Sequence, residues 1–299
     1  MELSEAKYDI EYDGEEFTVA GLDLYGNIWK PENAPTFIYI FVHGLGAFTT
    51  FKKDFFYLIL EKGGVVFGCD HLGHGKSPGS RTSCTVGEVI DEIVQIVQLA
   101  HSKYPELPIV VHGHSFGGLS AIMMMLTKYE EVKELKENVK CAIAEAPWIS
   151  KCPQRQLNSV ERVGIKFLSW TFSKLRLGSG VDLFSPDLDK NWVELVSKSP
   201  LYSYDLTPRL YTLVEEAQEF CRQNVEKWPK DLPLLFCQGT DDALVDAKDN
   251  EKWINSLKEV EGVTADYKRY EKGSHVLLKC PHRPTVAKDM LDFIEAHIH

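Results

Sequence analysis

Residues 107–118 read Leu107-Pro108-Ile109-Val110-Val111-His112-Gly113-His114-Ser115-Phe116-Gly117-Gly118, and this stretch decides the fold class. An apolar run that suits a buried strand leads into a turn of small residues, and a helix-like segment, Leu119–Tyr129, follows. Glycine lacks a Cβ, so Gly113 and Gly117 let the chain turn sharply enough to force Ser115 into a strained, exposed position. A hydroxyl thrust out at the end of a strand is placed to attack a carbonyl.

Outward from this turn, a hairpin is expected from Tyr8–Tyr12 and Glu16–Leu24 around Asp13-Gly14. Strand-like runs then recur at Thr36–Val42, Val65–Cys69, Ile109–Val111, Val139–Ala144, Leu232–Cys237 and Thr264–Tyr270. Helix-patterned segments lie between them, near 52–62, 86–103, 117–129, 210–227, 247–260 and 284–297. Such alternation predicts an α/β fold, a mostly parallel sheet with helices on both faces. The rhythm breaks from Trp148 to about Leu206, where Pro, Gly and Ser punctuate an amphipathic stretch. That interval reads as an insertion above the carboxyl edge of the sheet, where α/β folds place ligands. The expected division is core 1–147, helical cap 148–206 and core 207–299.

The 299 residues, 44% hydrophobic and 26% charged, suit one large globular unit. A net charge of −11 without a basic stripe argues against nucleic acid. Neither a secretory leader nor an apolar run of the roughly 18–20 residues that span a bilayer is visible. Seven cysteines without close pairing motifs read as reduced thiols, and the expected location is cytoplasmic with peripheral membrane contact.

The Ser115 hydroxyl needs a base, and histidine titrates in the useful range. His275, in the polar loop Lys272-Gly273-Ser274-His275-Val276, is the choice among ten histidines. His43 and His114 flank glycine turns and read as structural. Asp70, His71 and His74 sit in a glycine-bent loop, which argues against a metal site. An acid should orient the base, and Asp241, Asp242 and Asp246 all follow the strand Leu232–Cys237. The order serine, acid, histidine is that of α/β-hydrolases. Two backbone N–H groups should hold the developing oxyanion: Phe116, at the start of its helix, and Leu45, in the turn His43-Gly44-Leu45-Gly46.

Over nearly its whole length the chain resembles the α/β-hydrolases of the monoacylglycerol lipase and lysophospholipase type, a serine aminopeptidase-like family. The resemblance rests on His43-Gly44-Leu45-Gly46, Asp70-His71-Leu72-Gly73-His74-Gly75-Lys76-Ser77-Pro78-Gly79, Gly113–Gly118, Gly239-Thr240-Asp241-Asp242 and Gly273-Ser274-His275-Val276-Leu277. It implies the fold, the helical cap and a Ser115–Asp242–His275 triad, since the family's acid falls three residues after the glycine. Two departures stand out. Ala47-Phe48 occupy the place of a usual Glu-His pair at the headgroup end, and Phe116 replaces a usual methionine. The headgroup therefore stays open between glycerol and phosphocholine.

The implied reaction is ester hydrolysis of a monoacyl lipid through an acyl-enzyme, with no cofactor or metal. A short-chain esterase, an amidase or a non-catalytic ligand-binding relative are the alternatives. Phe48, Trp148, Phe167 and Trp170 are expected along the substrate's path. Between Lys151 and Gly180, Lys151, Arg155, Arg162, Lys166, Lys174 and Arg176 face one acid, Glu161, amid many apolar residues. That composition suggests contact with an anionic membrane surface.

Overall fold

Strand β3 (Phe37–Val42) shows how the sheet divides the interior. All six residues are buried, and successive side chains point to opposite faces. Ile38, Ile40 and Val42 join one apolar cluster, while Phe37, Tyr39 and Phe41 join another. A strand covered on both faces has no polar side, which is why it reads as a continuous apolar run.

The computed structural model describes residues 9–19, 21–154, 156–180, 184–203 and 205–298. In chain order the elements are β1 (Glu15–Val19), β2 (Leu24–Trp29), β3, α1 (Lys53–Glu61), β4 (Gly64–Cys69), α2 (Val86–Lys103), β5 (Ile109–His114), α3 (Phe116–Lys128), α4 (Lys133–Asn138) and β6 (Val139–Glu145). They continue with α5 (Ser159–Thr171), β7 (Leu177–Gly178), α6 (Lys190–Ser197), β8 (Asp205–Leu206), α7 (Pro208–Gln223), β9 (Leu234–Gly239), α8 (Ala247–Lys258), β10 (Ala265–Tyr270) and α9 (Arg283–His297). Eight strands form one sheet in the order β1-β2-β4-β3-β5-β6-β9-β10. The β1–β2 and β2–β4 pairings are antiparallel and the others parallel. Helices α2, α3, α7 and α8 cover one face, and α1 and α9 the other. The chain has an α/β-hydrolase fold.

The N-terminal hairpin exists, but not where the sequence placed it. Val19 and Leu24 close it around Gly21 (φ 82°) and Asp23 (φ 52°). Asp13 and Gly14 instead tie the segment that enters β1 to β2, Asp13 accepting from Trp29 Nε1 and Gly14 from Asn27 Nδ2. Strand β2 contains Gly26 and Asn27, poor strand formers, so its sequence carries little β signal. Tyr8, expected to open the hairpin, and Arg155, counted among the cap cations, lie outside the described residues.

Among its described residues, the interval 148–206 contributes α5, α6 and the small antiparallel ribbon β7–β8, and no strand of the main sheet. Helix α5 buries none of its residues, so its formation leans on local signals. Asn158 Oδ1 accepts from Val160 and Glu161 N–H, and Glu161 returns a bond to Asn158 N–H, completing a capping box. Helix α6 is anchored differently: Trp192 and Val196 are buried, and Trp192 Nε1 donates to Phe51 O at 3.3 Å. Among the described residues no helix is long and apolar enough to cross a membrane.

Candidate active site

The strand–turn–helix around Ser115 places the serine at φ 55°, ψ −116°, a backbone conformation a non-glycine residue rarely adopts. Such strain costs on the order of 1–3 kcal/mol and persists only where the surroundings enforce it. They do so here through hydrogen bonds: Ser115 N–H donates to Glu145 O at 2.9 Å, and Ser115 O accepts from Leu119 and Trp148 N–H. A Cβ on Gly117 would fall 2.3 Å from Val42 O, and one on Gly113 would fall 2.5 Å from Gly117 O. Helix α3 can therefore lie this close to β3 and β5 only with glycine at positions 117 and 113.

His275 follows β10 in a loop whose Lys272 adopts φ 60°. Its Nδ1 lies 2.8 Å from Asp242 Oδ2, and both residues are almost fully buried. Asp242 is held by four groups. Oδ1 accepts from Leu244 and Val245 N–H, and Oδ2 accepts from Gln238 Nε2 as well as from His275. The neighbouring acids are occupied elsewhere: Asp246 caps α8, and exposed Asp241 sits beside Thr240. His114 Nε2 lies 3.2 Å from the His275 carbonyl, tying the His275 loop to β5. Ser115 and His275 line the same pocket, although no hydrogen bond joins them among the described residues. Such contacts are often long before a substrate is bound.

Gly44 brings the turn after β3 against the serine, since a Cβ there would lie 3.2 Å from Ser115 Cβ. Among the described residues, neither Leu45 N–H nor Phe116 N–H has a hydrogen-bond partner. Phe116 opens α3, where the first N–H groups have no intrahelical acceptor and the helix dipole favours negative charge.

The pocket has a volume of about 180 Å³ and is lined mainly by apolar groups, including Phe51, Trp148, Ile165, Phe184, Trp192 and Tyr202. Of the four residues expected on the substrate's path, the structure puts Trp148 in the lining. Phe48 is fully buried against Tyr12 and Phe51, because the turn that precedes it aims it inward. Phe167 and Trp170 are 59% and 84% exposed on the outer side of α5. The pocket-facing side of that helix is marked by Ile165, about half a turn away.

Charged side chains buried beside the site carry little warning in the sequence. Lys52 and Glu145 form an ion pair with both side chains wholly inaccessible. His112 Nε2 stands 3.2 Å from the same Glu145 oxygen, and Tyr39 OH bonds to His112 Nδ1. Burial drives the His112 and His114 imidazoles below their ordinary range. A second buried pair joins Lys279 to Asp54, with the ammonium pushed down to about 8 by burial against the pull of that carboxylate. The one signal available was Glu145, at the end of a strand whose preceding four residues, Cys141–Ala144, are apolar.

Comparison with known proteins agrees with this architecture. The family described as Serine aminopeptidase, S33 (Hydrolase_4) matches residues 33–280. Monoglyceride lipase of Rattus norvegicus is 25% identical over 279 residues, 93% of this chain and 87% of that protein. Phospholipase YtpA of Bacillus subtilis is 25% identical over 272 residues, 90% of this chain and 99% of that protein. Among solved structures, a soluble variant of monoglyceride lipase from Saccharomyces cerevisiae in complex with a substrate analog superposes with TM-score 0.80 at 20% identity, covering 98% of each chain. The monoacylglycerol lipase of Paleococcus ferrophilus gives TM-score 0.78 at 22% identity, covering 92% of this chain and 99% of that one. With an elbow serine, a buried histidine–aspartate pair and a family match spanning most of its length, the chain belongs to the serine aminopeptidase S33 family of α/β-hydrolases.

Proposed function

We propose that this protein hydrolyses the ester of a monoacyl lipid, a monoacylglycerol or a lysophospholipid, through an acyl-enzyme on Ser115. The observation that carries the reading is the shared apolar pocket: Ser115 and His275 open into a cavity walled by Phe51, Phe184, Trp192 and Tyr202. An acyl chain suits such a wall, and burying it contributes roughly 0.8 kcal/mol per methylene.

In the proposed mechanism, Ser115 Oγ attacks the ester carbonyl while His275 Nε2 takes its proton. Asp242 keeps the His275 Nδ1–H in place and stabilises the imidazolium that forms. The N–H groups of Leu45 and Phe116 receive the oxyanion. Collapse breaks the ester C–O bond, and His275 returns the proton to the departing alcohol. Water, activated by the same histidine, then attacks the acyl-enzyme and releases the fatty acid. No cofactor takes part. Relatives named monoglyceride lipase and phospholipase support the substrate class.

Residues 148–206 serve in this reading as a cap whose outer surface touches a membrane. Val160, Val163, Phe167, Trp170 and Phe172 are each more than half exposed. Lys166 lies among them on α5, and Lys174 and Arg176 follow it. Co-sedimentation with vesicles tests this part: binding to anionic vesicles above neutral ones supports it, and equal binding or none refutes it.

The catalytic reading is tested by fatty-acid release from monoacylglycerol and from lysophosphatidylcholine, with Ser115→Ala as the comparison. Serine-dependent release from either supports the proposal and names the headgroup. Release from neither, or release that survives Ser115→Ala, refutes it.

A further inference from the structure

His43 opens the glycine turn beside Ser115, and both of its ring nitrogens are engaged. Nε2 accepts from the His71 backbone N–H at 3.0 Å. An accepting ring nitrogen carries no proton, so the proton sits on Nδ1, which donates to Gly44 O at 2.8 Å. Burial, reinforced by the neighbouring His71 and His74, holds this imidazole well below its usual range, so it is neutral. His71 lies against it with ring centroids 3.8 Å apart. His71 Nε2 stands 3.0 Å from His43 O, an atom that only accepts, so Nε2 also bears a proton. On the far side His71 Nδ1 lies 2.6 Å from Glu92 Oε2, a distance that requires a proton between them. Glu92, buried on α2, uses its other oxygen to accept from Leu72 N–H at 3.1 Å.

This chain of bonds has a directional consequence. The Gly44 carbonyl is held on the buried side by His43 Nδ1 and by Ala47 N–H. Cis peptides are absent among the described residues, and in a trans peptide the N–H points opposite to the carbonyl. The Leu45 N–H is thus turned away from His43, on the side where Gly44 and Leu45 line the pocket. A turn rich in glycine would otherwise flip this peptide at little cost, presenting a carbonyl oxygen to the developing oxyanion.

We propose that the buried relay Glu92–His71–His43 is the positioning device of the oxyanion donor Leu45 N–H. None of the three touches substrate; each acts through the next. Glu92 fixes the His71 ring, His71 fixes the His43 peptide and ring, and His43 fixes the Gly44–Leu45 peptide plane. The inference rests on the serine-hydrolase reading above.

The test compares steady-state hydrolysis with affinity for an alkylboronic acid. Its boron bonds to Ser115 Oγ as the hydroxyl proton passes to His275, giving a tetrahedral anion with one oxygen in the oxyanion site. Removing one oxyanion donor costs about 10²–10³ in kcat, and loosening one through its support should cost roughly 10–100-fold. Glu92→Leu and His43→Leu should lose kcat in that range with KM little changed, and boronate affinity should fall by a similar factor. Glu92→Gln should recover most of the loss, because its amide can keep a proton between itself and His71 Nδ1 and still accept from Leu72 N–H. His43→Asn, which restores a donor for Gly44 O, should lie between wild type and His43→Leu. These two polar variants carry the test if a leucine variant fails to fold. Folded leucine variants with unchanged kcat and boronate affinity, a loss confined to KM, or polar variants no better than leucine would each overturn the inference. A wild-type protein that does not bind the boronate would instead refute the serine-hydrolase reading.

Discussion

Replacing Lys52 with methionine should destabilise the protein by an amount that depends on pH. The Lys52–Glu145 pair is wholly buried, the ammonium donates to the Glu145 carboxylate, and His112 Nε2 stands 3.2 Å from the same oxygen. Breaking a buried pair from one side leaves an uncompensated charge and costs about 3–5 kcal/mol. With roughly 2.1 cal/mol/K of unfolding entropy per residue, the 299-residue chain should lose about 5–8 °C in Tm. Burial alone would push the Glu145 carboxyl up, but Lys52 and then the nearby imidazoles outweigh it and hold it well below the usual range. A depressed carboxyl contributes stability that is present above its unfolded pKa and lost as pH falls through the folded one. The wild-type contribution is therefore intact from neutral pH down to the ordinary carboxylate range. In Lys52→Met burial dominates, the folded carboxyl titrates above its unfolded value, and proton uptake relieves the penalty as pH falls. Urea unfolding at about pH 8 and about pH 5.5 should show a smaller deficit at the lower value. Burial also draws the Lys52 ammonium below its ordinary range despite Glu145, so the pair carries a large solvation cost. Lys52→Met/Glu145→Leu should accordingly recover most of the lost stability. A single-mutant deficit under about 1 kcal/mol, or one equal at both pH values, would refute the reasoning.

Three further outcomes follow from the same geometry. Asp242→Asn should lower kcat by something like 10⁴ by favouring the wrong His275 tautomer, whereas Asp241→Asn should stay near wild type; steady-state kinetics would rank them, and the reverse order would move the acid by one residue. Gly117→Ala puts a methyl 2.3 Å from Val42 O and 2.5 Å from His43 O, backbone atoms at and just past the end of β3 that cannot step aside, so thermal denaturation should show a loss of about 3 kcal/mol or more. The double change Phe167→Ser/Trp170→Ser should leave Tm within about a degree or two, because both side chains are exposed. The same variant should lose vesicle co-sedimentation, and undiminished binding would remove α5 from the proposed membrane contact.

The elbow was legible because its chemistry is local. Small residues at Gly113, Gly117 and Gly118 around Ser115, between an apolar run and a helix pattern, permit few backbone paths. The hairpin was only half legible. Leu24–Trp29 becomes a strand through pairing with β4 on one side and β1 on the other, and such pairing leaves no mark on a segment holding Gly26 and Asn27. Helix α6 went unread for a similar reason, since its eight residues owe their place to Trp192 seated on Phe51.

The site divides along the same line. The order of Ser115, Asp242 and His275 along the chain, each just after a strand, is a property of sequence, because parallel strands bring their following loops to one edge. Which acid meets the histidine is decided by a 2.8 Å contact between two loops 33 residues apart. The aromatic wall of the pocket and the burial of Lys52, Glu145, His71 and Glu92 arise only when the helices close over the sheet. A lysine or glutamate carries the same charge wherever it falls in a sequence. Its role is fixed by whether water or another side chain is left to solvate that charge, and only the tertiary structure decides that.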